Sequence, residues 1–514
     1  MAVRTAQVDT SSEQDLRLGM LNTLLMTPHR NLSASHPVHE QMIAQDPLFY
    51  VRLGAWYADN GEIRDHKELF IVNLCLSNFE GHRDVGLAML RELPPYQVER
   101  VIDFIHGRKK KVSTPVTTGT GRNQKTTHRT ALTDSGLGKN IPRSVATEVK
   151  RYLTDREDDP VWFDACVLQA RKSLKRVYSL LHIEPSDRAQ KILFDEDPPD
   201  DSKLKAVKEL RKTESAAKQA EIIIANKVPY RIASTVISAM SPTVLLALVQ
   251  VMSDQELINN IGSLKRRGAF DNPDLKAFIQ ERLDKAKTGK RVAAMKASQV
   301  KKTTDIDEDV AKQLEDIGDA QLKSKGRIKR PTAIIIDKSG SMNIAIEVGK
   351  QIAAMTSAIM DADLFVYACD EMAYPIVSSG TDLASWEKAL NGIFATGCTS
   401  CGVGIEMLRR NKQYVENIIM ITDEGENRSP SFLSSILNYM KDMDTRPNVL
   451  FVKCGTHRDT LEQRCRNNDI DYDAYIFNGD YYSLPGLIPL LTKPSKIDLL
   501  MEIMSYTLPQ RKVA

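Results

Sequence analysis

One short segment of the chain carries oxygen-bearing side chains at alternate positions. A run of β-branched apolar residues, 334–336, ends at Asp337, and the sequence KSGS then leads into a helical pattern. Asp337, Ser339 and Ser341 are therefore predicted to follow a buried strand at its carboxyl end. Carboxylate and hydroxyl oxygens are ligands that Mg²⁺ accepts, with water filling its remaining octahedral positions. The segment predicts a hard-cation site with an open position for an acidic partner.

Two distant segments add further oxygen ligands to this site. Thr399 lies in the loop ATGCTSCG before a helical pattern, and Asp423 ends the apolar run NIIMITD. Together the three segments resemble the von Willebrand factor A (vWA) domain and its metal-ion-dependent adhesion site, with the pattern DxSxS, a later threonine and a later aspartate. The resemblance implies Mg²⁺ as the ion, bound by Asp337, Ser339, Ser341, Thr399 and Asp423.

Several features of these segments leave alternatives open. Ser and Asp at strand ends are also common helix N-caps, so a purely structural role is the alternative interpretation. Lys338 places a cation inside the motif, and Cys398 stands where relatives often have a second glycine; either would weaken metal binding. Cys398 and Cys401 form a single CxxC without a second cysteine or histidine pair, which favours a structural role over zinc or redox chemistry.

Length and composition indicate a soluble protein of two or three domains. The chain has 514 residues, of which 42% are hydrophobic and 27% charged. No apolar run follows a basic start, and the apolar stretch 244–252 is too short to cross a bilayer, so we expect a cytoplasmic protein without membrane association. Seven cysteines spread over the chain argue against a disulfide framework.

The first 300 residues show a helical pattern almost throughout. Apolar residues recur three and four apart in segments such as 48–57, 67–76, 85–91 and 96–105, and no segment shows clear strand alternation. Short helices on short connections predict a stacked array, and the absence of a fixed repeat length favours irregular HEAT-like repeats. An acidic amphipathic segment, 305–319, is predicted as the last helix or linker. We place the helical domain at residues 15–325.

A basic segment interrupts the helical pattern. Residues 104–133 contain seven Lys or Arg and no acidic residue, among several Gly and Thr. We predict a long mobile loop at 108–133 that reaches a polyanion, with a solvated insertion as the alternative. Its basic residues are Arg108, Lys109, Lys110, Lys111, Arg122, Lys125 and Arg129.

A predicted helix at 166–181 carries a second basic group. Its apolar residues recur at steps of three and four, and its basic residues lie on a different face. These four charges repel one another unless a ligand neutralises them or the acidic residues 155–159 do so in part. His182 follows as either a helix C-cap or a nucleic-acid contact. The basic residues of this helix are Arg171, Lys172, Lys175 and Arg176.

The remainder of the chain alternates strand and helix patterns. Strands are predicted at 332–337, 364–369, 417–423, 448–453 and 474–477, and helices at 345–360, 402–410 and 430–440. This alternation predicts a doubly wound parallel sheet over residues 326–514, with a helical extension at 484–507. Ligands of such sheets bind beyond the carboxyl ends of the strands, where Asp337 and Asp423 both lie.

The combination of a helical array and a C-terminal vWA domain resembles the TROVE family, the Ro autoantigen and its bacterial relatives. Segments 46–72, 139–153, 171–185 and 227–235 are similar to repeats of that family, and the resemblance covers about residues 15–497. It implies a multidomain fold, an all-α HEAT-like helical-repeat ring followed by an α/β doubly wound vWA domain. The basic segment 108–129 has no counterpart in this pattern.

The resemblance also implies RNA ligands. In the family, single-stranded 3′ ends of defective structured RNAs enter the ring, and small noncoding Y RNAs bind its outer basic surface. The family's RNA-contacting positions fall here on Lys139, Arg143, Lys172, Lys175, Arg176 and His182. The predicted RNA-binding set is completed by the basic residues Arg171, Arg108, Lys109, Lys110 and Lys111.

Two hypotheses of different class follow. The favoured one is a monomeric RNA-binding scaffold, with a 3′ exonuclease tethered through Y-like RNA as a partner. Because aromatic content is only 6% and there is no RNP-like aromatic strand, Lys and Arg contacts to phosphates should dominate over base stacking. No phosphate-binding loop, HExxH or nuclease-like acidic cluster indicates an enzyme.

The alternative is a protein-binding adaptor of the kind that serves ATPase or chelatase complexes. In that case the metal site captures the carboxylate of a partner, and the basic groups are incidental. A surface adhesin is a third and weaker hypothesis, because no secretory signal was found.

Overall fold

The structure is a computed structural model that describes residues 13–26, 32–61, 63–118, 125–287, 306–324, 326–455, 458–477, 479, 481–492 and 496–511. The chain divides into two compact units. The helical unit comprises His29–Val251 and Glu502–Ala514, and the sheet unit comprises Met1–Pro28 and Met252–Met501. Residues 254–324 therefore group with the sheet, while the sequence-based domain boundary at 325 stays a prediction.

Helices dominate the described residues of the first half of the chain, as the apolar periodicity predicts. Many begin at an oxygen-bearing cap; for example, the Asp159 carboxylate accepts hydrogen bonds from the backbone N–H groups of Val161 and Trp162. In chain order, the helices are α1 (Glu13–Met26), α2 (Leu32–Gln45), α3 (Pro47–Asn60), α4 (Arg64–Leu76), α5 (His82–Arg91), α6 (Pro95–His106), α7 (Arg143–Glu157), α8 (Pro160–Leu181), α9 (Asp187–Leu193), α10 (Lys203–Lys212), α11 (Ala216–Asn226), α12 (Tyr230–Val236), α13 (Pro242–Val251), α14 (Asp254–Arg266), α15 (Pro273–Ala286), α16 (Glu308–Ser324), α17 (Asn343–Ala358), α18 (Leu383–Ala389), α19 (Val403–Arg410), α20 (Phe432–Met443), α21 (Thr460–Asn467), α22 (Ile488–Thr492) and α23 (Lys496–Ser505), with a 3₁₀ helix at Tyr481–Leu487.

The basic segment predicted as a mobile loop is a β-hairpin instead. Strand β1 (Arg108–Thr118) pairs antiparallel with β2 (Lys125–Ser135), from Arg108 opposite Ser135 to Thr118 opposite Lys125. The loop prediction, and the expectation of no strand in this half, were wrong because the segment is rich in β-branched Thr and Val, which favour strands without being strongly apolar.

Helix α8 is kinked within its predicted apolar face. Ala170 has non-helical backbone angles, φ −144° and ψ 40°, so two helical segments meet there. A kink leaves carbonyl groups without their helical partners. The Arg231 guanidinium donates to the carbonyl oxygens of Leu168, at 3.5 Å, and Gln169. The four basic residues of the predicted helix therefore follow the kink as one segment.

A buried carboxyl in the helical unit provides a pH-dependent contribution to stability. Glu68 is fully buried, and its carboxylate lies 3.1 Å from the Arg100 guanidinium and 3.7 Å from that of Arg64. Burial raises the pKa of Glu68 to about 7, and the two arginines oppose that rise only in part.

We expect Glu68→Gln to remove part of the pH dependence of unfolding. Because the folded-state pKa lies above the unfolded one, the folded state binds the extra proton, and stability falls as pH rises through about 7. Relative to that of the variant, the unfolding free energy of the wild type should fall by about 3 kcal/mol between a pH below the unfolded-state pKa of about 4.5 and a pH above the folded-state pKa of about 7. Urea unfolding of both proteins at several pH values measures the difference; identical pH profiles would contradict the assignment.

The sheet unit contains a sheet with described strands β3 (Thr332–Asp337), β4 (Leu364–Cys369), β5 (Ala373–Ile376), β6 (Asn417–Thr422), β7 (Asn448–Lys453) and β8 (Tyr472–Ile476). Their order is β5-β4-β3-β6-β7-β8, and β5 alone among them pairs antiparallel. This is the predicted doubly wound sheet. Strand β5 was not predicted because Pro375 interrupts its short pattern, and an edge position tolerates that proline.

Two cores cover the faces of this sheet. Ile334 and Ile336 pack on one face with residues of α17, and Ile335 packs on the other with residues of α20. All residues of β3 and β6 are buried, as their continuous apolar runs predict. None of the helices in the described ranges combines the length and apolar character needed to span a membrane.

Candidate metal site and basic surface

The predicted metal residues meet at one edge of the sheet. Strands β3 and β6 are parallel neighbours, with Ile336 opposite Ile421, so the segments that follow them emerge side by side. Asp337 is buried, and its two carboxylate oxygens accept hydrogen bonds from the Ser339 backbone N–H and the Thr422 hydroxyl, both at 2.9 Å. These bonds fix the carboxylate at the end of β3.

The other predicted ligands complete this edge. The exposed Ser341 hydroxyl donates to an Asp423 carboxylate oxygen at 3.2 Å, and the other Asp423 oxygen accepts the Gly425 N–H at 2.8 Å. The buried Thr399 is held through its backbone, which donates to the Asn427 side chain at 3.0 Å. The structure therefore brings all five predicted ligands together.

The chemistry of this edge fits a hard cation. Asp337 and Thr399 also line a small, largely apolar cavity of about 10 Å³ with Ile335 and Met420, and Ser339, Ser341 and Asp423 do not line it. Burial raises the pKa of Asp337, Asp423 raises it further, and the hydrogen bonds to the carboxylate oppose the rise. A bound cation would relieve the cost of two neighbouring carboxylates. Oxygen ligands of this kind suit Mg²⁺.

Lys338 does not enter the metal site. Its side chain is buried, and Nζ lies 2.5 Å from an Asp370 carboxylate oxygen and donates to the Thr396 hydroxyl at 3.2 Å. Burial alone would raise the pKa of Asp370, but the bond from Lys338 lowers it on balance. The charge of Lys338 is thus already neutralised. Asp370 was missed from the sequence, although it follows the apolar run LFVYAC as Asp337 and Asp423 follow theirs.

Replacing Lys338 by methionine is expected to destabilise the sheet unit by about 3 kcal/mol. The change leaves the largely buried Asp370 carboxylate without its cation, and an uncompensated buried charge is costly. Urea unfolding in the absence of divalent ions measures the effect. The matched control is the double variant Lys338→Met with Asp370→Asn, which should recover at least half of the loss; a single variant as stable as the wild type would contradict the interpretation.

The two cysteines of the CxxC motif differ in their exposure to solvent. Cys401 is buried, which raises the pKa of its thiol well above the ordinary value, and Cys398 is half-buried. Among the residues that the structure describes, no group of three or more His, Cys, Asp or Glu side chains is arranged to hold a metal. The two cysteines flank Thr399, whose position the loop fixes.

Most of the basic residues of α8 are paired with the protein's own carboxylates. Arg171 and Lys175 both contact Glu196, at 3.2 and 3.8 Å. Arg176 donates from Nε to Asp103 at 3.1 Å. The predicted neutralisation by residues 155–159 was therefore wrong, because the partners lie far away in sequence on α6 and after α9.

Three predicted RNA-binding residues are exposed and lack an ion pair within the described ranges. They are Lys139, Arg143 and Lys172. Lys139 donates from its backbone N–H to the Ile105 carbonyl at 2.9 Å, which places it at the C-terminal turn of α6, the helix that also supplies the partner of Arg176. Among the described residues of the predicted RNA-binding set, these three exposed cations are free to bind an anion.

The remaining predicted RNA-binding residues are His182 and the four basic residues at the start of the hairpin. His182 is exposed and ends α8 with a left-handed backbone, φ 51°, its N–H bonded to the Tyr178 carbonyl, so it is a helix C-cap. The backbone of Arg108, Lys109, Lys110 and Lys111 forms the start of β1, but their side chains lie outside the described part of the structure. Their assignment to RNA stays a prediction.

Comparison with solved structures gives a match that covers nearly the whole chain. No protein-family profile and no curated protein is similar to this sequence. The crystal structure of the Ro (RSR) protein of Deinococcus radiodurans matches with a TM-score of 0.57 and 13% identity, covering 95% of each chain. The predicted Ro resemblance and fold class are therefore confirmed at the level of fold.

Two further structures overlap only with a third of the chain. Proximal thread matrix protein 1 of the mussel byssus, with a zinc-occupied MIDAS motif, has a TM-score of 0.27 and 12% identity, covering 32% of this chain and 48% of its own. A von Willebrand factor type A structure from Catenulispora acidiphila has a TM-score of 0.25 and 18% identity, covering 34% and 43%.

Proposed function

We propose that this chain is an RNA-binding scaffold of the Ro type rather than an enzyme. It would hold small noncoding, Y-like RNAs and the 3′ ends of misfolded RNAs, as a cytoplasmic monomer in a ribonucleoprotein. The observation that supports this most is the match to the Ro fold over 95% of the chain, in which Lys139, Arg143 and Lys172 remain exposed and unpaired within the described residues.

The physical basis of binding would be phosphate neutralisation. Each Lys or Arg that contacts a phosphate releases counterions, and the gain falls as salt increases. The hairpin adds a further run of basic residues to the same region of the chain, because it begins and ends next to the C-terminal turn of α6. Shape and charge, rather than base stacking, would then select structured RNA.

A salt titration tests this proposal. Affinity for a structured RNA with a single-stranded 3′ end, measured by fluorescence anisotropy, should fall by about two orders of magnitude or more between about 50 and 200 mM salt. The same RNA with the 3′ overhang removed should compete less well. An affinity that is independent of salt would count against the proposal. If the affinity falls with salt as expected, the proposed protein partner is a 3′ exonuclease tethered by the RNA.

A second function is supported by the metal edge. Its five oxygen-bearing residues are assembled, and Ser341 is exposed, so a bound Mg²⁺ would keep an open position for a partner's carboxylate. We propose that this edge binds a protein. Such binding should require Mg²⁺ and Asp337 and should persist after ribonuclease treatment; loss with ribonuclease would assign the partner to the RNA instead.

A further inference from the structure

Large apolar side chains surround the metal loop and are open to solvent. Phe394 is 70% exposed, Met372 62%, Ile344 50% and Tyr374 37%. We call these four residues the apolar rim. Single exposed apolar residues are common on soluble proteins, whereas a group of them around one site marks an interaction surface.

Hydrogen bonds with the metal loop hold one segment of this rim in place, and a second segment follows the loop directly in the chain. The Thr396 N–H donates to the Lys338 carbonyl at 2.8 Å, and the Gly340 N–H donates to the Gly397 carbonyl at 3.3 Å. These bonds fix the loop that carries Phe394. Ile344 is the second residue of α17, which begins directly after the loop.

Lys338 connects the metal loop to the remaining segment. Its ion pair with Asp370 anchors the β4–β5 turn, and its Nζ lies 5.1 Å from the centroid of the Tyr374 ring. Within that turn, the Met372 N–H donates to the Asp370 carboxylate at 2.8 Å. The lysine that looked unfavourable for metal binding is therefore the residue that positions Met372 and Tyr374 beside the metal site.

We propose that the apolar rim and the metal edge form one docking surface for a protein segment that presents a carboxylate bordered by apolar side chains. The carboxylate would complete the coordination of the cation, and the apolar groups would pack on Phe394 and Met372. This inference rests on the metal site proposed above. It adds that the apolar rim selects which carboxylate-bearing segment binds there. Aromatic residues and methionine are enriched in such interfaces.

The charges around the rim favour a protein over a nucleic acid. Lys338 is buried against Asp370, and Arg428 lies 3.1 Å from the exposed Glu371 carboxylate, so these two cations are paired. The exposed Arg458, whose backbone N–H donates to the Asp423 carbonyl at 3.1 Å, is one cation near the metal edge without an ion pair among the described residues. A phosphate backbone needs several free cations along its length. The bound ion offers one site of positive charge, which matches one carboxylate.

Selection from a phage-displayed library of random peptides on the full-length protein with Mg²⁺ tests the proposal. Enriched peptides should carry Asp or Glu next to aromatic or aliphatic residues. For the most enriched peptide, we expect a loss of about tenfold or more in affinity when its acid is changed to the amide, when Mg²⁺ is chelated, or in the variant Phe394→Ser with Met372→Ser. Both residues are well exposed, so the fold should persist.

Val377→Ser is the matched control. Val377 is 86% exposed in the same unit but follows β5 at the end opposite to Met372, so its change should leave peptide affinity unaltered. Enriched peptides without an acidic residue, or full affinity in the Phe394→Ser, Met372→Ser variant, would overturn the proposal. The proposal would also be overturned if the wild type self-associates, or binds an oligonucleotide in a Mg²⁺-dependent way, and the Phe394→Ser, Met372→Ser variant does not.

Electron paramagnetic resonance of bound Mn²⁺ separates this inference from the metal site on which it rests. If the rim variant binds Mn²⁺ like the wild type and loses the peptide, both stand. If it binds Mn²⁺ and keeps the peptide, the docking surface is wrong and the metal site remains. If the wild type binds no Mn²⁺, both are wrong, while the RNA proposal is unaffected.

Discussion

Replacing Lys139, Arg143 and Lys172 together by glutamine is expected to lower the affinity for structured RNA by about a hundredfold at moderate salt. These side chains are exposed and form no ion pair within the described part of the chain, so their charge is available to phosphates. Each lost phosphate contact should also reduce the slope of log affinity against log salt by about one, giving a reduction of about three. Anisotropy titrations at several salt concentrations measure both quantities.

The matched control removes the same charge elsewhere in the helical unit. Lys212, Lys218 and Lys227 are also exposed but lie outside the predicted RNA-binding set. Their triple glutamine variant should bind RNA within about threefold of the wild type, with an unchanged salt slope. If both triple variants lose affinity equally, binding depends on net charge alone and the assignment of Lys139, Arg143 and Lys172 is wrong.

Asp337→Asn is expected to abolish stabilisation by Mg²⁺. A ligand that binds only the folded state stabilises it by about 2.7 kcal/mol at a hundred times its dissociation constant. The wild type should therefore gain stability in MgCl₂ relative to NaCl of equal ionic strength, and the variant should gain none. Without Mg²⁺ the variant should be at least as stable as the wild type, because it removes a buried charge beside Asp423.

Glu371→Gln provides the control for this experiment. Glu371 is an exposed carboxylate near the site and is not a predicted ligand, so Mg²⁺ should stabilise its variant as much as the wild type. Urea unfolding with and without MgCl₂ measures all three proteins. Equal stabilisation of the Asp337→Asn variant would show that Mg²⁺ acts elsewhere on the molecule.

The metal edge could be predicted from the sequence because each of its segments has a local sequence pattern. Apolar runs that end in Asp337 and Asp423 specify parallel strands, and the carboxyl ends of adjacent parallel strands meet. The same signal follows β4 at Asp370, which the DxSxS pattern with its later threonine and aspartate does not include. The partner of Lys338 was therefore predictable in principle, although it lies in a different βα segment.

The basic surface could be predicted only in part, because the sequence does not show which cations form ion pairs in the folded protein. Helical spacing grouped Arg171, Lys175 and Arg176 correctly, but their partners lie 20 or more residues away, on segments whose packing the spacing does not reveal. Paired cations contribute less to phosphate binding than free ones. The RNA proposal consequently depends on Lys139, Arg143 and Lys172.

The hairpin and the kink in α8 could not be predicted from hydrophobic periodicity. Thr-rich strands such as β1 carry little hydrophobic alternation, so they were predicted as a loop. The kink at Ala170 is stabilised by the Arg231 guanidinium from a helix about 60 residues later, a contact without a local signature.

Purification of the protein from its own cells, followed by sequencing of the RNA that accompanies it, tests the central claim most directly. We expect a small set of structured noncoding RNAs with single-stranded 3′ ends, enriched with the wild type and depleted with the Lys139, Arg143 and Lys172 glutamine variant. Recovery of no RNA, or of the same unselected cellular RNA with both proteins, would contradict the account.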